Sequence, residues 1–376
     1  MKNDYKEKPF EYLRHKDGTE YKTEVITNWY LARDFVLDKL KDVAFIPGSN
    51  EHLHVVVDDD DELMLAVVRQ VALSAHYINY VEYNAYGELK CKNRTVITLF
   101  SDDENIIDDL CAEEYLYKLM EYCKYSYKDG DVNPDSYIDV ELEIVGKKTI
   151  IDDKNAIWIK KSDFENHIAS RLQEEMCCID TRKAVWASRM YDLGDLIGNL
   201  PAEDIHCTHR YTLALEAFYH KLLQDEWKPL VNEKEWTRCP NDVKKDLSNV
   251  FCADCFESRE LAIKRYCKEK GISEAEAWEK NNEALSMSEH ERWVVEKLIM
   301  GYRPLNNEEH IQDERLFGDV RKQYRKELKN NPKKDGTPHI DLCSYRELRR
   351  VNPDDMKYDS FLMLAIPKIL ERFNDN

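Results

Sequence analysis

The sequence predicts an α/β half joined to a mainly helical half, and three observations carry that expectation. Between residues 51 and 160, apolar β-rich runs alternate with helical segments in the order β, α, β, which calls for a parallel sheet with helices on its faces. Beyond residue 163 the pattern becomes helical alone, with Gly or Pro between the segments. At 376 residues the chain is long enough to bury more than one core.

Each element follows from a local pattern. Residues 28–42, NWYLARDFVLDKLKD, have a helical period and stop at the turn signal IPGSN. Residues 53–57 read as a buried strand, and 62–79 as a helix apolar almost all round. TVITLFS (95–101) is a second buried strand, YIDVELEIV (137–145) alternates as a strand, and AIWIK (156–160) supplies another. Helices are then expected in DFENHIASRLQEEM, HRYTLALEAFYHKLLQ, SRELAIKRYCKEKG, SEHERWVVEKLIMG and DSFLMLAIPKILERF. The expected organisation is a helical extension over 1–50, an α/β domain over 51–160, a helical region over 161–285 and a closing domain over 286–376.

Composition narrows the partners. Apolar residues make up 43% of the chain, but charges cut every apolar run short of a bilayer span, so no membrane contact is expected. The charged start, MKNDYKEKPFEYLRHKDG, lacks the apolar stretch of a signal peptide, and the cytoplasm is the expected location. Eleven irregularly spaced cysteines then read as free thiols. A net charge of −19 argues against general affinity for nucleic acid. That surplus lies wholly in the first 285 residues, because 286–376 hold 17 basic and 17 acidic side chains. Within the balanced part, 321–350 carry ten basic and four acidic residues, which suits a solvated face or an anionic small molecule.

A strand feeding a long apolar helix is how a nucleotide-binding βαβ unit begins, and its turn normally carries glycines that admit a pyrophosphate. Here the turn is Asp58, Asp59, Asp60 and Asp61. Each carboxylate set beside a phosphate costs on the order of 1 to 4 kcal/mol, so no dinucleotide cofactor is expected. The acids cap the helix and face water, or they hold a hard divalent cation, magnesium or calcium, with Asp58 and Asp60 as ligands. A third reading is catalytic. An apolar strand ending in D-x-D resembles the first motif of haloacid dehalogenase-type phosphatases, which implies a magnesium-dependent phosphohydrolase with Asp58 as nucleophile and Asp60 as acid/base. The CADC stretch, Cys252 to Cys255, has metal-ligand spacing but no second pair; Cys239 and His209 are the other candidates for zinc.

In SMSEHERWVVEKLIMGYRPL, Ser286 with Glu289, or Ser288 with Glu291, reads as a capping box, and Gly301 as the helix stop. Val294, Val295, Leu298 and Ile299 form its apolar face, and His290, Trp293 and Lys297 lie along one border. That border is either a packing edge or the wall of a pocket. These residues, with HIDLCSYREL and KYDSFLMLAIPKIL, resemble the ryanodine receptor repeat, the RyR domain. His290, Trp293, Lys297, Gly301, Tyr302, His339, Leu342, Tyr345, Leu348 and Asp359 match its pattern over about residues 286 to 371. Two departures stand out: His339 precedes Ile340 where the family has Pro, and the insertion between the two motifs is long. Upstream, Ser248, Asn249, Ala253 and Asp254 are similar to the segment preceding the domain in bacterial relatives. The 51–160 part resembles their TrkA-N type, Rossmann-like domain with its glycine loop turned to aspartates.

The resemblance implies a Rossmann-like parallel sheet followed by a helical RyR domain, in a non-catalytic binding or signalling protein of bacterial stress or phage defence. A small anionic, nucleotide-like ligand would stack on Trp293, Tyr302 and Tyr345, with His290, Lys297, Arg303 and His339 supplying charge and hydrogen bonds. The competing reading is an assembly module in which the rings simply pack, and which forms a homo-oligomer.

Overall fold

The computed structural model describes residues 25–26, 28–112, 116–127, 130–167, 170, 191–192, 248, 251–330, 333 and 335–374. The strands are β1 (Val25–Ile26), β2 (His54–Val57), β3 (Val81–Tyr83), β4 (Leu89–Lys92), β5 (Thr95–Phe100), β6 (Lys124–Tyr127), β7 (Gly130–Val132), β8 (Val140–Val145), β9 (Ile157–Ile159), β10 (Tyr191–Asp192), β11 (Tyr302–Arg303) and β12 (Thr337–Pro338). Among the first 160 residues the helices are α1 (Asn28–Leu40), α2 (Glu62–Ser74), α3 (Ile106–Ala112) and α4 (Tyr117–Tyr122). The later ones are α5 (Phe256–Lys270), α6 (Glu274–Lys280), α7 (Asn282–Ile299), α8 (Asn307–Arg315), α9 (Gly318–Asn330), α10 (Tyr345–Val351) and α11 (Met356–Asn374). Cys177, Cys178, Cys239, His209 and the predicted helix HRYTLALEAFYHKLLQ lie outside the described residues.

Six strands form one sheet in the order β7-β6-β8-β5-β2-β9, parallel except for the edge strand β7. The expected α/β half followed by helices is therefore present. Val55 and Val57 align with Ile97 and Leu99 on β5, which align in turn with Leu142 and Ile144 on β8. Alternation along each strand sends all of them to one face, where they meet α2 in a single apolar core. Every residue of α2 from Met64 to Ser74 is buried, because α1 and α7 also pack against it. The all-round apolar sequence of that helix is thereby accounted for.

Three boundaries differ from expectation. Helix α2 ends at Ser74 and not at 79, since the Ser74 hydroxyl donates to Gln70 O at 2.9 Å and the freed Ala75 carbonyl accepts from Thr95 Oγ1 at 2.6 Å. Strand β8 begins at Val140 because the Ile138 N–H is taken by Ser136 Oγ at 3.1 Å and Asp139 is tied to His76. Helix α7 starts at Asn282, so the expected capping boxes lie inside it. Ser286 Oγ donates to Asn282 O at 2.6 Å and Ser288 Oγ to His76 O at 3.1 Å, which leaves neither serine as a cap.

The predicted apolar face of α7 is real. Val294, Val295, Leu298 and Ile299 are buried in the same core as the sheet. Burying each such side chain stabilises by about 1.5–3 kcal/mol, so the helical half and the sheet hold each other. Side chains tie them further: Arg33 Nε donates to Asp254 Oδ2 at 2.9 Å, and Glu82 Oε1 accepts from Tyr345 N at 2.8 Å. No described helix is long and apolar enough to cross a membrane.

Candidate functional site

The recess around His339 is assembled by a short parallel strand pair. Helix α7 stops at Ile299, Gly301 takes a φ of 81°, and the chain enters β11. The long insertion folds as α8 and α9 and returns as β12, where Thr337 N donates to Gly301 O at 3.1 Å and His339 N to Arg303 O at 2.9 Å. Tyr302 and His339 are thus brought together across the whole insertion. The return requires Gly336: at φ 121° a Cβ there would sit 2.9 Å from Gly301 O.

Six of the seven residues expected at the site converge. His290 and Trp293 stack with centroids 6.2 Å apart, and His290 meets Tyr345 at 5.7 Å. Trp293 meets His339 edge-on at 5.0 Å, and Tyr302 meets His339 edge-on at 6.0 Å. Lys297 Nζ lies 5.7 Å from the Trp293 ring and 5.9 Å from that of Tyr302. Each ring pair contributes about 0.5–1.5 kcal/mol beyond burial, and each cation–π contact about 0.5–1 kcal/mol at an exposed site. Burial then grades the cluster. His290, His339 and Tyr345 are buried, whereas Trp293, Lys297 and Tyr302 are half-buried and form its open side.

The two histidines have opposite chemistry. His290 is enclosed, with Nε2 2.8 Å from Cys343 O and Nδ1 3.6 Å from Asp359 Oδ2. Burial alone disfavours its charged form, but Asp359 and that carbonyl outweigh burial and push the ring upward in pKa. For His339, burial comes first and Lys329, Lys297 and His290 add to it, holding the ring well below the usual histidine range. Its Nδ1 accepts from Asp341 N at 3.3 Å, which assigns the proton of the neutral ring to Nε2. The recess therefore offers a neutral N–H donor and the Lys297 ammonium beside two partly open rings.

Arg303 is placed otherwise. Its guanidinium is buried against Glu309, at 2.7 Å and 3.0 Å, with Asp335 2.9 Å from Nε. It braces the insertion and does not present charge to the rings. Lys297 also has a structural partner, since its ammonium bonds Glu296 Oε1 at 2.5 Å. Sequence reasoning did not find Cys343 O, Glu82 or Lys329 as neighbours of the cluster. Nothing local signals them; a backbone carbonyl and contacts from distant segments are set by tertiary packing.

The aspartates occupy the other conspicuous position. Strand β2 has β5 on one side and β9 on the other, so the chain departs from it in both directions; ligands of such sheets bind beyond the carboxyl ends at that switch point. Asp58 to Asp61 fill it. Asp61 Oδ1 accepts from Met64 N at 3.0 Å and so caps α2, while Oδ2 lies 2.6 Å from Lys161 Nζ. Asp58 Oδ1 accepts from Lys161 N at 2.9 Å, and Asp60 receives Lys147 Nζ at 2.9 Å and the Ser101 hydroxyl. Partial burial works against ionisation of Asp59, yet the Asp60 N–H and Lys147 hold its carboxyl below the usual range. Neighbouring ammonium groups and N–H donors thus occupy the carboxylates proposed as metal ligands. Among the described residues, no group of three or more His, Cys, Asp or Glu side chains is arranged to hold a metal ion. Cys252 and Cys255 are buried thiols; desolvation pushes Cys255 up to about 12.

Comparison of the chain with protein-family models, with curated proteins and with solved structures found no match.

Proposed function

We propose that the chain is a non-catalytic binding protein of RyR type, carrying a Rossmann-like domain whose cofactor loop has been replaced by acids. Its ligand is a small, anionic, nucleotide-like molecule. The observation that supports this reading is the half-buried rim of Trp293, Lys297 and Tyr302 around a neutral His339. A planar base would lie against the rings, and phosphate or carboxylate oxygens would meet Lys297 and the His339 N–H. In the bacterial setting that the resemblance implies, such a ligand suits stress or phage-defence signalling.

A thermal-shift panel of nucleotides and ADP-ribose-like compounds tests the reading. A ligand at about a hundred times its dissociation constant stabilises by about 2.7 kcal/mol. Tyr302→Leu and His339→Gln should each remove that shift and leave the melting point of the free protein nearly unchanged. Lys297→Ala is the poorer probe, because it strips a partner from the buried Glu296 carboxylate. If no compound shifts the melting point, and Tyr302→Leu lowers stability as much as a core truncation, the rings are packing and nothing more.

A further inference from the structure

Glu291 is the most anomalous side chain of α7. It is fully buried, and neither carboxylate oxygen has a hydrogen-bond donor. An ionised carboxylate in that state costs several kcal/mol, and native proteins seldom tolerate it. The groups facing it come from every element packed against that turn: Glu82 on β3, Tyr80 just before it, Cys91 on β4, Asp139 and Tyr137 ahead of β8, and Cys343 ahead of α10. Asp139 is already committed to His76 Nδ1 at 2.9 Å, and the one guanidinium next along α7, that of Arg292, is turned to Glu289 and Glu296. No cation faces Glu291. The group within hydrogen-bonding reach is the carboxyl of Glu82.

Glu82 has the opposite surroundings. Oε1 accepts from Tyr345 N at 2.8 Å and Oε2 from Arg346 N at 3.3 Å, and such donors favour the ionised form. We infer that Glu291 and Glu82 share one proton, the Glu291 O–H donating to the Glu82 carboxylate, and that this pair positions the Cys343–Tyr345 wall of the recess. The wall matters because Cys343 O holds His290 Nε2 at 2.8 Å and the Tyr345 ring packs on His290. Desolvation, with Glu82 and Asp139 adding to it, pushes Glu291 well above the usual carboxylate range, in agreement with this geometry. Glu82 and Glu291 are positioning residues; neither reaches the open side where a ligand would lie.

A folded-state pKa raised above that of the unfolded chain gives stability that is complete at low pH and is lost as pH rises through the folded value. An amide at 291 keeps the hydrogen bond and does not titrate. Melting points of the full chain and of Glu291→Gln, followed from about pH 5 to about pH 9, should therefore diverge, the native protein losing stability to the variant as pH rises. Glu82→Gln is the companion variant and should flatten the profile in the same way. Acrylamide quenching of the Trp293 emission, taken as the difference from Trp293→Phe, reads the wall directly. It should grow with pH in the native background and stay flat in Glu291→Gln.

Parallel melting profiles for the native chain and both variants would overturn the shared proton. Diverging profiles with pH-independent quenching would overturn the positioning role. The functional part rests on the ligand reading above, but neither measurement uses a ligand, so a failed ligand screen leaves this test intact.

Discussion

Arg292 pairs with Glu296 inside α7 at 2.7 Å, and both side chains are cut off from solvent. The same guanidinium reaches Glu289 at 2.7 Å, and Glu289 meets Arg259 at 2.9 Å. With Lys297 on the far oxygen of Glu296, the result is a buried row of alternating charge that links α5 to the rim of the recess. Burial would raise both glutamates, but the surrounding cations outweigh it and hold them below the usual range.

Removing the shared cation leaves two buried carboxylates undercompensated. Arg292→Met is expected to cost about 3–5 kcal/mol, read as a lower urea midpoint. The pH arm has a definite sign. Carboxyls whose folded pKa is depressed contribute stability above their unfolded value, near 4.3, and lose it as pH falls through the folded one. Glu309, held down to about 2 by Arg303 and Lys333 against the effect of burial, extends that loss furthest into acid. Acid titration followed by circular dichroism should show Arg292→Met unfolding at higher pH than the native chain.

Much of this architecture was legible in the sequence, for reasons visible in particular residues. Val55, Val57, Ile97 and Leu99 declare strands through β-branching and burial, and Val294, Val295, Leu298 and Ile299 declare one face of a helix. The site was legible as far as residue types at helical spacing could carry it, which placed His290, Trp293 and Lys297 on one edge. Pairings across the fold were not. Arg303 looked like a ligand residue because its partner Glu309 belongs to an insertion whose fold local pattern does not reveal. Ser286 and Ser288 imitated a cap because serine has the same local chemistry inside a helix, where it back-bonds, as before one.

Asp61 should behave as a cap and not as a site residue. Its carboxylate accepts from Met64 N at 3.0 Å at the first turn of a helix buried along its length. Asp61→Ala is expected to cost about 1 kcal/mol. Asp61→Ser, which retains an acceptor, should recover most of that loss. Chemical denaturation of the two variants checks it, and equal losses for both would show that the Lys161 ion pair matters more than the cap.

Gly336→Ala probes the strand pair that assembles the recess. A methyl group would meet Gly301 O at 2.9 Å, and the φ of 121° is unfavourable for any L side chain. The expected cost is about 1–3 kcal/mol. Because β12 leads directly into His339, the same variant should loosen the contact between Tyr302 and His339. Any ligand-induced thermal shift should then fall by more than the stability loss alone explains. Gly271→Ala, at a φ of 67° with open space around it and far from the rings, is the control for backbone strain.

Leu298 decides whether the two halves unfold separately. It is fully buried in a core that also contains Val57, Leu99 and Leu119, so a helix beyond residue 280 and strands before residue 100 lose solvent-free contacts together. Leu298→Ala is expected to cost about 2–5 kcal/mol, the spread reflecting how far the surroundings collapse into the cavity. If the core is one cooperative unit, that loss lowers the transition seen by far-ultraviolet circular dichroism and the one seen by tryptophan fluorescence by the same amount. Separate domains would instead leave a second transition at its native position. Hydrogen exchange on β5 gives the residue-level answer: its amides should lose protection in Leu298→Ala although the substitution lies on α7.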